Sequence, residues 1–138
     1  MDSAAPAGEK KKILIVDDEV SFARMVKFNL EKTGAFEVRT EHKASYALAA
    51  AREYKPDLII LDVIMPNMDG GDVSNQIKRD RQLRGTPIIF LTATVSKREA
   101  GEGGLNSGGE LFLAKPVSFD TLVARINEHL RPHEPPAS

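Results

Sequence analysis

The chain has no cysteine. That excludes a disulfide scaffold, a thiolate metal centre and a cysteine nucleophile, and it fits a reducing compartment such as the cytoplasm. It also lacks an excess of either charge. Its 19 basic and 20 acidic residues leave a formal net charge of -1, whereas a protein that tracks a phosphate backbone carries a clear basic surplus. Direct nucleic-acid binding is therefore not expected. No apolar run approaches the ~18 residues of a membrane span, and Met1–Glu9 has no apolar stretch of the kind that marks a secretory signal. No membrane partner is expected either. No internal repeat is visible, which excludes a solenoid.

What remains is ordinary globular composition, 41% hydrophobic and 28% charged over 138 residues, enough for one domain with its own core. Residues 1–11 read as a disordered leader, small and polar and ending in a short lysine run. Residues 132–138 read as a flexible tail, because Pro132, Pro135 and Pro136 stop a helix. The domain itself is expected over residues 12–131.

Within it, two hydrophobic periods alternate. Ile13–Val16, Leu58–Leu61, Ile88–Leu91 and Leu111–Ala114 are continuous apolar runs, as expected of strands buried on both faces. Phe36–Thr40 alternates and reads as an edge strand with one wet face. Between them lie helical stripes: Phe22, Met25, Val26 and Leu30; then Ala44, Ala47, Leu48 and Ala51; then Phe119, Leu122, Val123, Ile126 and Leu130. Ser118 is a candidate N-cap and Gly34 a candidate helix stop. Val73 and Ile77 mark a shorter helix. A further helix near residues 97–106 is weakly signalled, since five glycines lie between Gly101 and Glu110 and each costs about 1 kcal/mol inside a helix. The segment 97–110 is accordingly expected to be the least stable of the ordered chain. Repeated strand–helix alternation predicts an α/β fold, a doubly wound five-stranded parallel sheet with helices on both faces.

In such sheets, sites form beyond the carboxyl ends of the strands. Asp17 and Asp18 follow the first run, Asp62 follows Leu61, Thr92 follows Leu91, and Lys115 precedes Pro116 after the last run. Taken singly, each has a plain explanation as a turn former, a cap or an exposed side chain. Together they place three carboxylates, a hydroxyl and an ammonium on one edge. Three carboxylates in one pocket repel one another unless a cation neutralises them. Oxygen ligands alone favour a hard ion such as Mg²⁺. A central carboxylate can then act as nucleophile toward phosphorus, with Lys115 and Thr92 binding phosphoryl oxygens.

The runs Ile13-Leu14-Ile15-Val16-Asp17-Asp18-Glu19, Pro56-Asp57-Leu58-Ile59-Ile60-Leu61-Asp62-Val63-Ile64-Met65-Pro66-Asn67-Met68-Asp69-Gly70, Pro87-Ile88-Ile89-Phe90-Leu91-Thr92-Ala93 and Phe112-Leu113-Ala114-Lys115-Pro116 resemble the receiver domain of the two-component response-regulator family. The resemblance covers residues 12–131. It implies a flavodoxin-like sheet of order 2-1-3-4-5, and a phosphoacceptor that takes its phosphoryl group from a histidine kinase or phosphotransfer protein and regulates a downstream partner. It implies Asp62 as acceptor and Mg²⁺ as cofactor. The metal would be held by Asp18, Asp62 and the Ile64 carbonyl, with Asp17 acting through water. Thr92 would be the switch hydroxyl, Lys115 the phosphate-binding ammonium, Phe112 the aromatic that turns inward, and the Lys115–Pro116 bond cis. Two positions depart from the family pattern: Gly71 replaces a large apolar residue, and Gly108-Gly109-Glu110 replaces Gly-Ala-Asp.

Three other readings fit the residues less well. A haloacid-dehalogenase-type phosphohydrolase needs an acid two positions after its nucleophile, where this chain has Ile64. A receiver-like module that is never phosphorylated would have lost an acidic ligand, Thr92 or Lys115, and all are present. A flavin-mononucleotide carrier would need a phosphate-cradling loop after Val16, where Asp17-Asp18-Glu19 stands. A turnover enzyme acting on an external substrate is not expected.

Overall fold

The computed structural model describes residues 10–93 and 110–130, together with the backbone of 105–107. In chain order the elements are β1 (Lys11–Val16), α1 (Val20–Lys32), β2 (Phe36–Glu41), a 3₁₀ turn (Ala44–Tyr46), α2 (Ala47–Tyr54), β3 (Leu58–Asp62), α3 (Gly70–Arg79), β4 (Ile88–Thr92), β5 (Leu105–Ser107), β6 (Glu110–Ala114) and α4 (Phe119–Leu130). The first strand begins at Lys11, inside the span read as leader, because the Lys11 N–H donates to the Ala35 carbonyl at 3.1 Å.

The sheet order is β2-β1-β3-β4-β6-β5. The first five strands in that order pair in parallel, which is the expected 2-1-3-4-5 arrangement. The sequence reading lacked β5, which adds an antiparallel edge by pairing Leu105 with Phe112 and Ser107 with Glu110. The weakly signalled helix near 97–106 otherwise falls outside the described residues, as does most of the segment 97–110.

The continuous apolar runs are explained by burial on both faces. Ile13, Ile15, Leu58, Ile60, Ile89, Leu91, Leu111 and Leu113 enter one core with α1 and α4. Their neighbours Leu14, Val16, Ile59, Leu61, Ile88 and Phe90 enter a second core with α2 and α3. Strand β2 contributes Phe36 and Val38 to the first core while Glu37 stays exposed, as an edge strand should.

Two helical stripes shift from their expected phase. On α1 the buried residues are Ala23, Val26 and Leu30, whereas Met25 is 52% exposed. Met25 lies roughly 100° round the helix from Val26, beyond the rim of the contact. On α2, Ala50 is buried in place of Leu48, and the row of alanines lets the helix lie close to the sheet. The cap at the last helix is as expected, since the Thr121 N–H donates to Ser118 Oγ at 3.1 Å. Gly34 follows α1 with φ +81°, a conformation that favours glycine. Gly71 is exposed, so α3 is held instead by Gly70, Val73, Ser74 and Ile77.

Gly70 is the glycine on which the site depends. A Cβ there would lie 2.5 Å from the Asp62 carbonyl oxygen and 2.9 Å from Val63 Cα. The start of α3 can therefore close against the end of β3 only without a side chain. Gly70→Ala should cost on the order of 1–3 kcal/mol through overpacking. Gly85→Ala, where a new Cβ meets nothing within 4 Å, should change stability much less. Chemical denaturation of the two variants beside the wild type measures the difference.

Candidate functional site

The strand register assembles the site. Val16 pairs with Leu61, Asp62 with Leu91, and Thr92 with Ala114. Asp17 thus comes one residue past the pair that immediately precedes Asp62, Thr92 one step beyond the partner of Asp62, and Lys115 one step beyond the partner of Thr92. Residues from four strands meet on the carboxyl edge as a staircase.

Carboxylate oxygens of Asp17, Asp18 and Asp62 all lie within 4.8 Å of one another. Asp17 and Asp62 are buried and Asp18 is exposed. Asp17 is fixed from several sides: its N–H donates to the Glu41 carbonyl at 2.9 Å, and its Oδ1 accepts from the Glu19 N–H at 2.9 Å. Its carbonyl lies 3.0 Å from His42 Nδ1.

Lys115 supplies the countercharge. Its Nζ donates to Asp17 Oδ2 and to Glu19 Oε1, both at 2.8 Å, and stands 3.8 Å from Asp62 Oδ1. The same ammonium lies 4.5 Å from the centroid of the Phe22 ring. Burial pulls the ammonium's pKa down, but the hydrogen bonds it donates to Asp17 and Glu19, together with the charges of Asp17 and Asp62, outweigh burial and hold it above its ordinary value. The Lys115 backbone N–H donates to the Thr92 carbonyl at 3.0 Å, and the Lys115–Pro116 bond is cis as expected.

Asp62 carries the strain of this arrangement. Desolvation, then the charge of Asp17, push its carboxyl up to about 7. Lys115 and the Ile64 N–H act in the opposite direction without cancelling them. A cation among the three aspartates would relieve the same repulsion. The donor set of hard oxygens therefore fits a divalent ion of the magnesium type.

Thr92 is fully buried at the end of β4. Phe112 is half-buried and stacks on Phe90, its partner on β4, with ring centroids 4.6 Å apart and planes at 11°. Position 64, two residues past Asp62, is an isoleucine and not an acid, and it is 56% exposed. A cleft of about 360 Å³ opens beside Asp18, lined by His42, Lys43, Tyr46 and Asn67 among others.

The sequence reading missed three neighbours of the site: Glu19, Phe22 and His42. Glu19 could have been noticed as a third acid directly after the aspartate pair. His42 ends the alternating strand and so falls under the same strand-end rule. The helical stripe marks Phe22 as core, and it does pack against the first core while partly buried.

Fold and pocket together define a class: an α/β domain with an acidic pocket, able to hold a cation, at the carboxyl edge of a parallel sheet. Comparison with known proteins narrows that class. The profile of the response regulator receiver domain matches residues 13–127. The chain is 37% identical over 126 residues to the probable transcriptional regulatory protein TcrX of Mycobacterium tuberculosis, covering 90% of this chain and 51% of that protein. It is 38% identical over 125 residues to the DNA-binding response regulator MtrA of Mycolicibacterium smegmatis, covering 91% and 53%. Among solved structures, the chemotaxis protein CheY4 of Vibrio cholerae matches with a TM-score of 0.74 and 34% identity, over 88% of this chain and 99% of that one. The chain belongs to the response regulator receiver domain family, the phosphoacceptor signalling domain of two-component systems, which is generally not a turnover enzyme. It spans about half the length of the curated relatives it matches. No helix among the described residues is long and apolar enough to cross a membrane.

The raised pKa of Asp62 has a sign that can be tested. A carboxyl raised in the folded state costs stability above its unfolded pKa of roughly 4, and the cost grows until the pH passes the folded value. Without divalent metal, Asp62→Asn should therefore stabilise the protein more at pH 8 than at pH 5, by a difference on the order of 2 kcal/mol. Denaturant midpoints of both proteins in chelator at the two pH values give this number.

Proposed function

We propose that Asp62 is the phosphoacceptor and that a histidine kinase or histidine phosphotransfer protein is its donor. The observation that carries this is the convergence of Asp17, Asp18 and Asp62 within 4.8 Å, with the Lys115 ammonium 3.8 Å from Asp62. An Asp62 carboxylate oxygen attacks phosphorus in line. The phosphorus–nitrogen bond of the donor breaks, and the histidine nitrogen keeps the electron pair. Lys115 donates hydrogen bonds to the phosphoryl oxygens, and the Thr92 hydroxyl is drawn toward them. Phe112 then gives up its stack on Phe90 and turns into the space that Thr92 leaves.

We assign Mg²⁺ to the acidic cluster, held by Asp18, Asp62 and the Ile64 carbonyl, with Asp17 acting through water. When bound, Mg²⁺ would neutralise the carboxylates and the incoming phosphoryl oxygens. The high pKa of Asp62 supports this, because a carboxyl near 7 is only partly ionised at neutral pH and is a weak nucleophile until a cation restores its charge. The domain promotes its own phosphorylation and dephosphorylation rather than turning over an external substrate, and it works in the cytoplasm. Its output is a contact with another protein. DNA binding is a property named for relatives about twice as long as the stretch they share with this chain, and no nucleic-acid contact is assigned to the receiver domain itself.

Intact mass after incubation with acetyl phosphate and Mg²⁺ should show the gain of one phosphoryl group on the wild type. Asp62→Asn should show none, and excess chelator should abolish the gain. Phosphate retained on the variant, or incorporation undiminished in chelator, would refute the assignment.

Lys115→Ala separates the ammonium from the metal. Isothermal titration should show Mg²⁺ affinity unchanged or tighter, since a neighbouring positive charge has gone. The amide spectrum should respond far less to phosphorylation than that of the wild type.

A further inference from the structure

We infer that Phe22 is a positioning residue for phosphoryl transfer, its ring face holding the Lys115 ammonium at the height of Asp62. The inference rests on the phosphoacceptor reading above and adds to it a residue outside the four motifs.

The Lys115 side chain is only 10% exposed, so its charge is largely cut off from water. Two of its three N–H groups are taken by Asp17 Oδ2 and Glu19 Oε1 at 2.8 Å. These two partners differ. The Asp17 side chain is 2% exposed and held by its neighbours, while that of Glu19 is 62% exposed. An ammonium drawn only by charge would gain by swinging outward with Glu19 into solvent, away from the acceptor. The Phe22 ring, 4.5 Å from Nζ, is an uncharged contact that opposes this. A cation over an aromatic face is attracted by the ring quadrupole, and more strongly when desolvated. The ring belongs to α1 and packs against the core beside Ala23 and Val26, so it is fixed. Nζ is thereby held 3.8 Å from Asp62 Oδ1, on the side from which it would meet a phosphoryl group carried by that carboxylate. A leucine would fill much of the same volume and offer no such attraction.

The test follows phosphate uptake from acetyl phosphate at saturating Mg²⁺. Phe22→Leu should slow uptake roughly three- to thirtyfold, the range from an exposed to a desolvated cation over a ring, and Phe22→Tyr should keep most of the wild-type rate. Phenylalanine analogues bearing one, two and three fluorines at position 22 preserve the shape while draining the quadrupole. The rate should fall stepwise along that series with the denaturation midpoint nearly constant. Mg²⁺ affinity should stay unchanged throughout. In a Lys115→Ala background, Phe22→Leu should have no further effect. A rate indifferent to fluorination, a loss of Mg²⁺ affinity in parallel with the rate, or an undiminished effect without Lys115 would each overturn the inference while leaving the phosphoacceptor reading intact. A wild type that takes up no phosphate would overturn both.

Discussion

Three carboxylates held within 4.8 Å of one another are the constraint to which the rest of the molecule answers. Left alone they repel, and the consequence is visible at Asp62, whose carboxyl is pushed up to about 7. The fold offsets part of this with one ammonium, brought from 98 residues away along the chain to meet Asp17. Lys115 reduces the repulsion without removing it. The pocket is left short of positive charge, and a divalent cation and a phosphoryl group together would complete it. Breaking such a pair by removing one partner generally costs more than the pair itself contributes, because the remaining charge is buried alone.

Holding like charges together requires a frame that does not yield. The frame is the parallel sheet, buried on both faces, whose strands send alternate side chains into two separate cores. Its register sets which residue emerges beside which. A one-residue slip of β3 against β1 would turn every core side chain of β3 to the wrong face, so the packing that stabilises the sheet also fixes the spacing of the aspartates. Gly70 belongs to the same frame. By lacking a Cβ it lets α3 start directly against the Asp62 carbonyl, and the Asp69 carboxylate caps that helix through the Asp72 N–H at 3.0 Å.

The same rigidity leaves a few side chains with room to move. Glu19 is exposed, Phe112 is half-buried and stacked on a single ring, and Ile64 projects outward. Phe112 also packs against the second core, so its movement is coupled to that core, whereas Glu19 and Ile64 are turned to solvent and can move without disturbing the sheet.

Much of this was legible in the chain itself. Continuous apolar runs give buried parallel strands, because only a sheet covered on both faces needs every residue to be apolar. The strand-end rule then collects Asp17, Asp18, Asp62, Thr92 and Lys115 without any coordinates. The phase of α1 was legible only approximately, since Phe22 and Met25 are equally apolar and only docking against Phe36 and Val38 decides which of them faces inward. The antiparallel β5 was hidden by its glycine-rich surroundings, which carry no periodicity. Glu19 and His42 stood at strand ends where the same rule could have collected them, but the contact of Phe22 with the site could come only from the tertiary structure. Pattern along a chain reports which way a residue faces relative to its own element. What a side chain touches across elements depends on distances set by the packing of all of them, and the 4.5 Å between Lys115 and Phe22 is such a distance.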